Sequence, residues 1–451
     1  MTTEYDAIVV GGGLGGAIAA REMQHRGLRT VLLEARDRVG GRAWTPQVRG
    51  VDTDLGGQNV FWSEPYIWAE ITRYMLEVTP TPKFEVYAVR EGDSVSRYTA
   101  AEGFGQMASG LTKFNGGFES VFPQPYKPLL QLVQVLEIDS ASVGGRLREI
   151  DLDPEQNRWL APYFGMLSGG APDSMSFAWM VYLAAWAGGV PEMLRARSAF
   201  RVVDGLQSLV RKIVADAGVA VRLETPVASV LDDDERVTVT TTTGEEFVAA
   251  TCVVATSGNM LSSIDFPGGL SRSKMEVSRR GVQTPNAFHK LFALVKGDVD
   301  PIYVQRSDYS GHSLIHARRD LTRPDGLTQV IGFSVDPALD DSDQGRLAAL
   351  FAEMLDISSE RIVEVVAYNW VADEWSKGGT AFLRPGHYAH LGELLQPEGR
   401  IAFAISDMTY GGYNAAVEQG MRGANDALRI HSQESRIYVP RSSERRDPAP
   451  I

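Results

Sequence analysis

The chain has 451 residues, 44% of them hydrophobic and 22% charged, the balance of an ordinary globular protein with two or three domain-sized masses. Its formal net charge of −13 is spread along the chain, which disfavours nucleic acid, whose phosphates demand Lys/Arg stripes. A single cysteine, Cys252, excludes an intramolecular disulfide and a Cys-based metal cluster.

The first predicted element is a short apolar strand, Ala7-Ile8-Val9-Val10, ending at Gly11. A helical pattern follows from about Leu14 to His25, and Thr30-Val31-Leu32-Leu33 is a second strand. No charged-then-apolar leader precedes this unit, and no apolar run reaches the roughly 18 residues of a membrane span. A cytoplasmic protein with no membrane partner is therefore expected. Residues 63–200 turn rich in Trp, Tyr, Leu and Met at helical spacing and predict a largely helical insertion. A helix at 205–217 and a strand at 219–223 come next. Alternating runs at 236–243 and 246–248 predict a small antiparallel meander, and 252–255 a return to a parallel sheet, with Cys252 buried as a small hydrophobe. Strands at 290–294, 327–335 and 361–370 flank a helix at 343–355. A strand at 400–405 and a helix at 415–431 close the ordered part. Residues 432–451, polar and Pro-containing, predict a flexible tail.

The strand-turn-helix at the start carries G-x-G-x-x-G at Gly11, Gly13 and Gly16. Alone the motif is weak in a chain with 45 glycines. Here it follows a strand, opens a helix and is followed by Glu34 at the end of the next strand, as a dinucleotide-binding βαβ unit requires. Gly11 permits the tight turn, Gly13 lets the backbone approach a pyrophosphate, and Gly16 lets helix and strand pack closely. The helix N-terminus, at Leu14 and Gly15, offers free N–H groups to the phosphates. Glu34 is placed to accept hydrogen bonds from ribose hydroxyls.

Glu34-Ala35-Arg36-Asp37-Arg38-Val39-Gly40-Gly41-Arg42 resembles the extension of this unit in the monoamine oxidase-like flavin amine oxidase family. Asp54-Leu55-Gly56-Gly57-Gln58 resembles the next block of that family. Further similar stretches are 203–209, Glu224-Thr225-Pro226-Val227, Cys252-Val253-Val254-Ala255-Thr256, Phe288-His289-Lys290-Leu291, Asn369-Trp370, Trp375-Ser376-Lys377-Gly378-Gly379-Thr380, and 402–418 with Asp407. The resemblance implies FAD, held by Ala35, Arg36, Gly41, Arg42, Gly57, Gln58, Val227, Trp370 and Asp407 in addition to the glycine turn. It also implies a water held by Lys290 near the flavin N5, assisting reaction with O₂.

Three departures bear on the site. Members with covalent flavin carry a Cys beside one aromatic cage position; here that stretch is Gly378-Gly379-Thr380, so noncovalent FAD is expected. Thr380 takes the first cage position and removes that aromatic wall. Tyr413 resembles the second cage residue, but the stretch is one residue short, and anchoring on Ala416-Val417 places Gly412 there instead. Ile405 replaces a usual Gly, with no functional account. Among histidines, His312/His316 and His387/His390 have pair spacing, but no carboxylates join them and no metal is expected. No G-x-S-x-G elbow supports hydrolysis.

The expected fold is α/β: a Rossmann-type FAD-binding domain with a parallel sheet, assembled from 1–75, 201–285 and 370–431, and a mixed α+β substrate domain from 76–200 and 286–369. The expected reaction moves hydride from a C–N bond of an apolar amine to the flavin, with O₂ reduced to H₂O₂. Lys290, Tyr413 and Thr380 are the catalytic candidates. The alternative is a dehydrogenase or desaturase acting on a C–C or C–O bond of a small cyclic apolar substrate. Oligomeric state is open, a homodimer included.

Overall fold

The second half of strand β1 (Thr3–Val10), Ala7-Ile8-Val9-Val10, is apolar and buried on both faces. It lies parallel to β2 (Thr30–Leu33) on one side and to Glu246–Val254 on the other. The computed structural model describes residues 3–196, 200–283, 287–307 and 314–437. Ala220–Arg222 extends the parallel sheet beyond β2, and Ile401–Phe403 pairs in parallel with the end of Glu246–Val254. On the remaining edge Val237–Thr241 and Val227–Asp232 run antiparallel, which completes a seven-stranded sheet. The expected meander and the return to the parallel sheet are thus carried by one strand. Its first half pairs antiparallel with Val237–Thr241, and its second half, with fully buried Cys252, pairs in parallel with β1 and Ile401–Phe403.

Helix α1 (Leu14–His25) lies on this sheet beside Leu206–Ala217 and the long helix Gly412–Ile437. That last helix continues past the expected tail boundary at 432; residues 438–451 lie outside the described residues. A buried, bidentate ion pair joins α1 to helix Pro65–Arg73. Arg21 donates from Nη1 to Glu70 Oε2 (2.5 Å) and from Nη2 to Glu70 Oε1 (2.8 Å), and a third bond reaches the Tyr74 hydroxyl.

The second sheet also has seven strands, in the order Ile362–Asn369, His289–Lys296, Leu327–Ser334, His316–Thr322, Ile302–Arg306, Val86–Glu91, Ser94–Thr99. The expected helical insertion therefore includes a β-hairpin, 86–99, that extends this sheet. The rest of 63–200 is largely helical, as its spacing predicts, with Trp159, Phe164, Met175 and Trp179 in the core.

Strand period decides what each face of the second sheet does. Leu291, Ala293, Val304, Ala317 and Val330 point to one side and pack on Leu347, Leu350, Phe351 and Met354 of helix Gln344–Leu355. Their neighbours in sequence, Lys290, Tyr303, His316, Arg318 and Phe333, face the other side and line a cavity. Among the described residues no helix is long and apolar enough to cross a membrane.

Candidate active site

A cleft of about 740 Å³ runs along the ends of the parallel strands, the position where open α/β sheets bind ligands. Its floor is the glycine turn. Gly11 has φ +106°, and a Cβ there would sit 2.8 Å from the Ala255 carbonyl oxygen. A Cβ on Gly16 would collide with the Gly11 carbonyl oxygen. A Cβ on Gly13 would meet nothing within 4 Å, because it would project into the cleft. Gly13 is also the N-cap of α1 and provides no side-chain cap, so the first N–H groups of the helix remain open to an anion. Leu14 and Gly15 line the cleft at this point.

At one end stands Glu34, buried, whose Oε2 accepts from Gly12 N (2.7 Å) and Oε1 from Arg36 N (2.9 Å). Ala35, Arg36, Thr225 and Val227 line the same end, with Thr225 N donating to the Glu34 carbonyl at 2.8 Å. Arg36 is anchored to Asp373 Oδ1 (2.5 Å) and Ser376 Oγ (3.0 Å). Further along, Gly40, Gly41 and Arg42 continue the lining beside the glycine turn, and Gly40 N donates to the Gly12 carbonyl at 2.8 Å. A diphosphate linking two ring systems fits these residues: an uncapped helix end, a glycine-lined approach and a cationic Arg42, with a carboxylate at the ribose distance of the βαβ unit.

A second cavity of about 440 Å³ meets the cleft, and the two share Arg42, Gly57, Phe61, Leu183, Trp186, Gly379 and Thr380. Lys290 stands near this junction. Its Nζ donates to the carbonyl oxygens of Asp54 (2.5 Å) and Gly56 (2.8 Å) and to Gln58 Oε1 (3.2 Å). Burial pushes its pKa down to about 7, with Asp54 the main opposing charge. Trp370, just past strand Ile362–Asn369, donates to the Leu55 carbonyl at 2.9 Å, so the turn 54–58 is held by two separate segments.

The model of the flavin containing amine oxidoreductase family matches residues 14–428. The chain belongs to that family. It is an oxidoreductase of a flavin-dependent kind. A pseudooxynicotine dehydrogenase of Pseudomonas sp is 29% identical over 430 residues, covering 92% of this chain and 85% of the relative. A nicotine dehydrogenase of Pseudomonas putida is 27% identical, covering 95% and 89%. Among solved structures, cyclohexylamine oxidase from Brevibacterium oxydans is similar in fold, with a TM-score of 0.77 and 22% identity over 96% of this chain and 100% of that one.

The residues expected from the sequence to form the site take different places in the structure. Asp407 is fully engaged by protein: Arg42 Nη2 donates to its Oδ1 (2.8 Å) and Oδ2 (2.9 Å), and Gly258 N and Gln283 Nε2 donate to Oδ2. It orients Arg42 and does not line the cleft. Trp370 and Gln58 line the second cavity rather than the cleft. Tyr413 lines the cleft but not the second cavity, and its buried hydroxyl packs against Gly57 without a hydrogen-bond partner among the described residues. Thr380 lies at the junction itself. His289, adjacent to Lys290, bonds Asp341 at 2.7 Å and does not line either space. His387 and His390 bond the Arg384 N–H and Ser273 Oγ. Among the described residues no three His, Cys, Asp or Glu side chains gather as a metal site, and His312 lies outside them.

Tyr303, His316, Arg318 and Phe333, together with Met166, Leu183, Trp186 and Met193, complete the second cavity and carry no motif. Strand alternation is the signal that could have assigned the first four to one face.

Proposed function

We propose that this protein is an FAD-dependent oxidase of small, largely apolar amines. The observation that carries the reading is the junction at Gly57, Gly379 and Thr380, where a dinucleotide cleft opens onto a mostly apolar cavity that also holds Lys290. Gly11, Gly13, Leu14, Gly15, Glu34, Ala35, Arg36, Gly41, Arg42, Gly57 and Val227 would hold FAD, with Gly16 shaping the turn and Asp407 holding Arg42. Bound FAD supplies the two-electron acceptor for a hydride from the carbon bearing nitrogen. The hold is noncovalent in this reading, because Cys252 is buried in a central strand away from both spaces.

The chain's own part is to position and desolvate. Phe61, Leu183, Trp186, Phe288 and Trp370 exclude water around the reacting carbon. No Asp or Glu lines the second cavity among the described residues, whereas Lys290 and Arg318 do. Such a field disfavours an ammonium and selects the free amine, whose nitrogen lone pair assists departure of the hydride. The product imine takes up water and separates into a carbonyl compound and an amine. O₂ accepts the two electrons with two protons and leaves as H₂O₂, with Lys290 assisting beside the junction.

A second reading keeps the amine half and replaces O₂ by another oxidant. Two of the similar proteins bear the name dehydrogenase, and in this structure each Lys290 N–H direction is already engaged. Aerobic turnover of a panel of secondary and primary amines decides between them. Carbonyl product, released amine and H₂O₂ in equal amounts are expected. Carbonyl product without peroxide, with turnover restored by an added quinone or dye, selects the second reading. Absence of any carbonyl product contradicts both.

A further inference from the structure

The second cavity contains a buried imidazole that the reaction above does not use. His316 is 5% exposed and stacks between two rings, Tyr303 (centroids 5.0 Å apart, planes at 22°) and Phe333 (5.1 Å, 17°). Neither of its ring nitrogens has a hydrogen-bond partner among the described residues. A polar group buried without a partner is destabilising until a ligand satisfies it. All three rings line the cavity.

The position of His316 relative to the junction follows from register. Lys290 is paired with Phe333, and Phe333 with His316. His316 is therefore two strands from Lys290, about 10 Å at the usual strand spacing. It borders only the second cavity and lies away from the residues shared with the cleft. Burial, reinforced by the charge of Arg318, pushes its pKa down to about 3. A neutral imidazole has one N–H to give and one lone pair to offer.

We infer that His316 is a specificity-determining residue whose ring N–H binds a hydrogen-bond acceptor, a carbonyl or a carboxylate, on the end of the substrate remote from the oxidised C–N bond. The surrounding charge selects the acceptor over a donor cation. Arg318 and Lys290 line the same cavity, and no carboxylate does so among the described residues. A substrate with a second ammonium would meet repulsion there. The inference rests on the amine reading for which end is oxidised, but not for the subsite itself.

The test uses four compounds of similar length: hexylamine, N-acetyl-1,4-diaminobutane, 5-aminopentanoate and 1,4-diaminobutane. Their affinities are measured by calorimetry on the dithionite-reduced, FAD-loaded protein, where no turnover intervenes. Wild type is expected to bind one or both acceptor-bearing compounds about tenfold more tightly than hexylamine, and 1,4-diaminobutane more weakly than hexylamine. Preference for the acetamide alone identifies a neutral carbonyl, and preference for the acid identifies a carboxylate. His316→Phe keeps the ring stack and removes the N–H; it should abolish the preference and leave hexylamine affinity unchanged. An unaltered preference in His316→Phe, or diaminobutane bound as well as the acetamide, overturns the inference. If the preference holds but none of the four is oxidised in the oxidised enzyme, the subsite stands and the amine oxidase reading falls.

Discussion

Two demands meet at Lys290. Three oxygen acceptors surround Nζ, the full complement of an ammonium, while burial pushes the pKa down to about 7. The unfolded value is about 10.4. Between these two pH values the unfolded chain binds more protons than the folded one, so stability gains from Lys290 as pH rises through this window. Below it, the cost of burying the charge is fully present. The difference in unfolding free energy between wild type and Lys290→Met should therefore grow in favour of wild type from pH 7 to pH 9.5 in urea titrations. A difference independent of pH would show that Lys290 keeps an ordinary pKa. Lys290 and Glu34 were legible in the sequence because local neighbours mark them: an apolar strand around the one, a glycine turn at fixed spacing before the other. His316 was visible only as one member of a histidine pair. Its stacking partners Tyr303 and Phe333 come from different strands, and no local spacing announces them.

Among elements, α1 does two jobs at different points along its length. Its N-terminus is left uncapped toward the cleft, and farther along Arg21 ties it to helix Pro65–Arg73 through Glu70. Both partners of this pair are buried, at 0% and 2% exposure, and without Glu70 the Arg21 guanidinium keeps only the Glu22 carboxylate (2.9 Å) as a charge partner. Glu70→Ala should lower stability by about 3 kcal/mol, read from the urea midpoint at unchanged slope. Because the pair is outside the cleft lining, the absorbance spectrum of bound flavin should stay as in wild type. A loss below about 1 kcal/mol would mean that the pair is hydrated and ordinary. Periodicity identified most of these elements but not their partners. The strand Glu246–Val254 was read as two because its pattern changes midway, from alternating to continuously apolar. The change marks an exchange of an antiparallel neighbour for parallel ones, not a break. The hairpin 86–99 escaped notice inside a helical stretch because its pairing to Ile302–Arg306 bridges distant parts of the chain.

At the scale of the whole molecule, the first sheet supplies the cleft, the second supplies a cavity wall, and the turn 54–58 with residues 370–380 joins them. The cleft was legible because nucleotide binding uses contiguous motifs. The cavity was not, because its walls are drawn from alternate positions on four strands and from helices Pro154–Leu167, Phe177–Ala187 and Val190–Ala196. Tyr413 illustrates the boundary between the two. Sequence similarity offered it as an aromatic wall for the substrate, and the fold places it against Gly57 on the cleft side. Thr380 carries no ring and Tyr413 does not line the second cavity, so these two positions do not set two rings in that cavity. The proposed function requires that the cavity present a C–N bond to the cofactor. Anaerobic rapid mixing of the FAD-loaded protein with matched amines, alcohols and cyclic ketones tests it most directly. Amines are expected to remove the yellow flavin absorbance, faster as pH rises and the free amine accumulates, and the nitrogen-free compounds to leave it unchanged. Bleaching by an alcohol or cyclic ketone, with the amines inert, would contradict the proposed function.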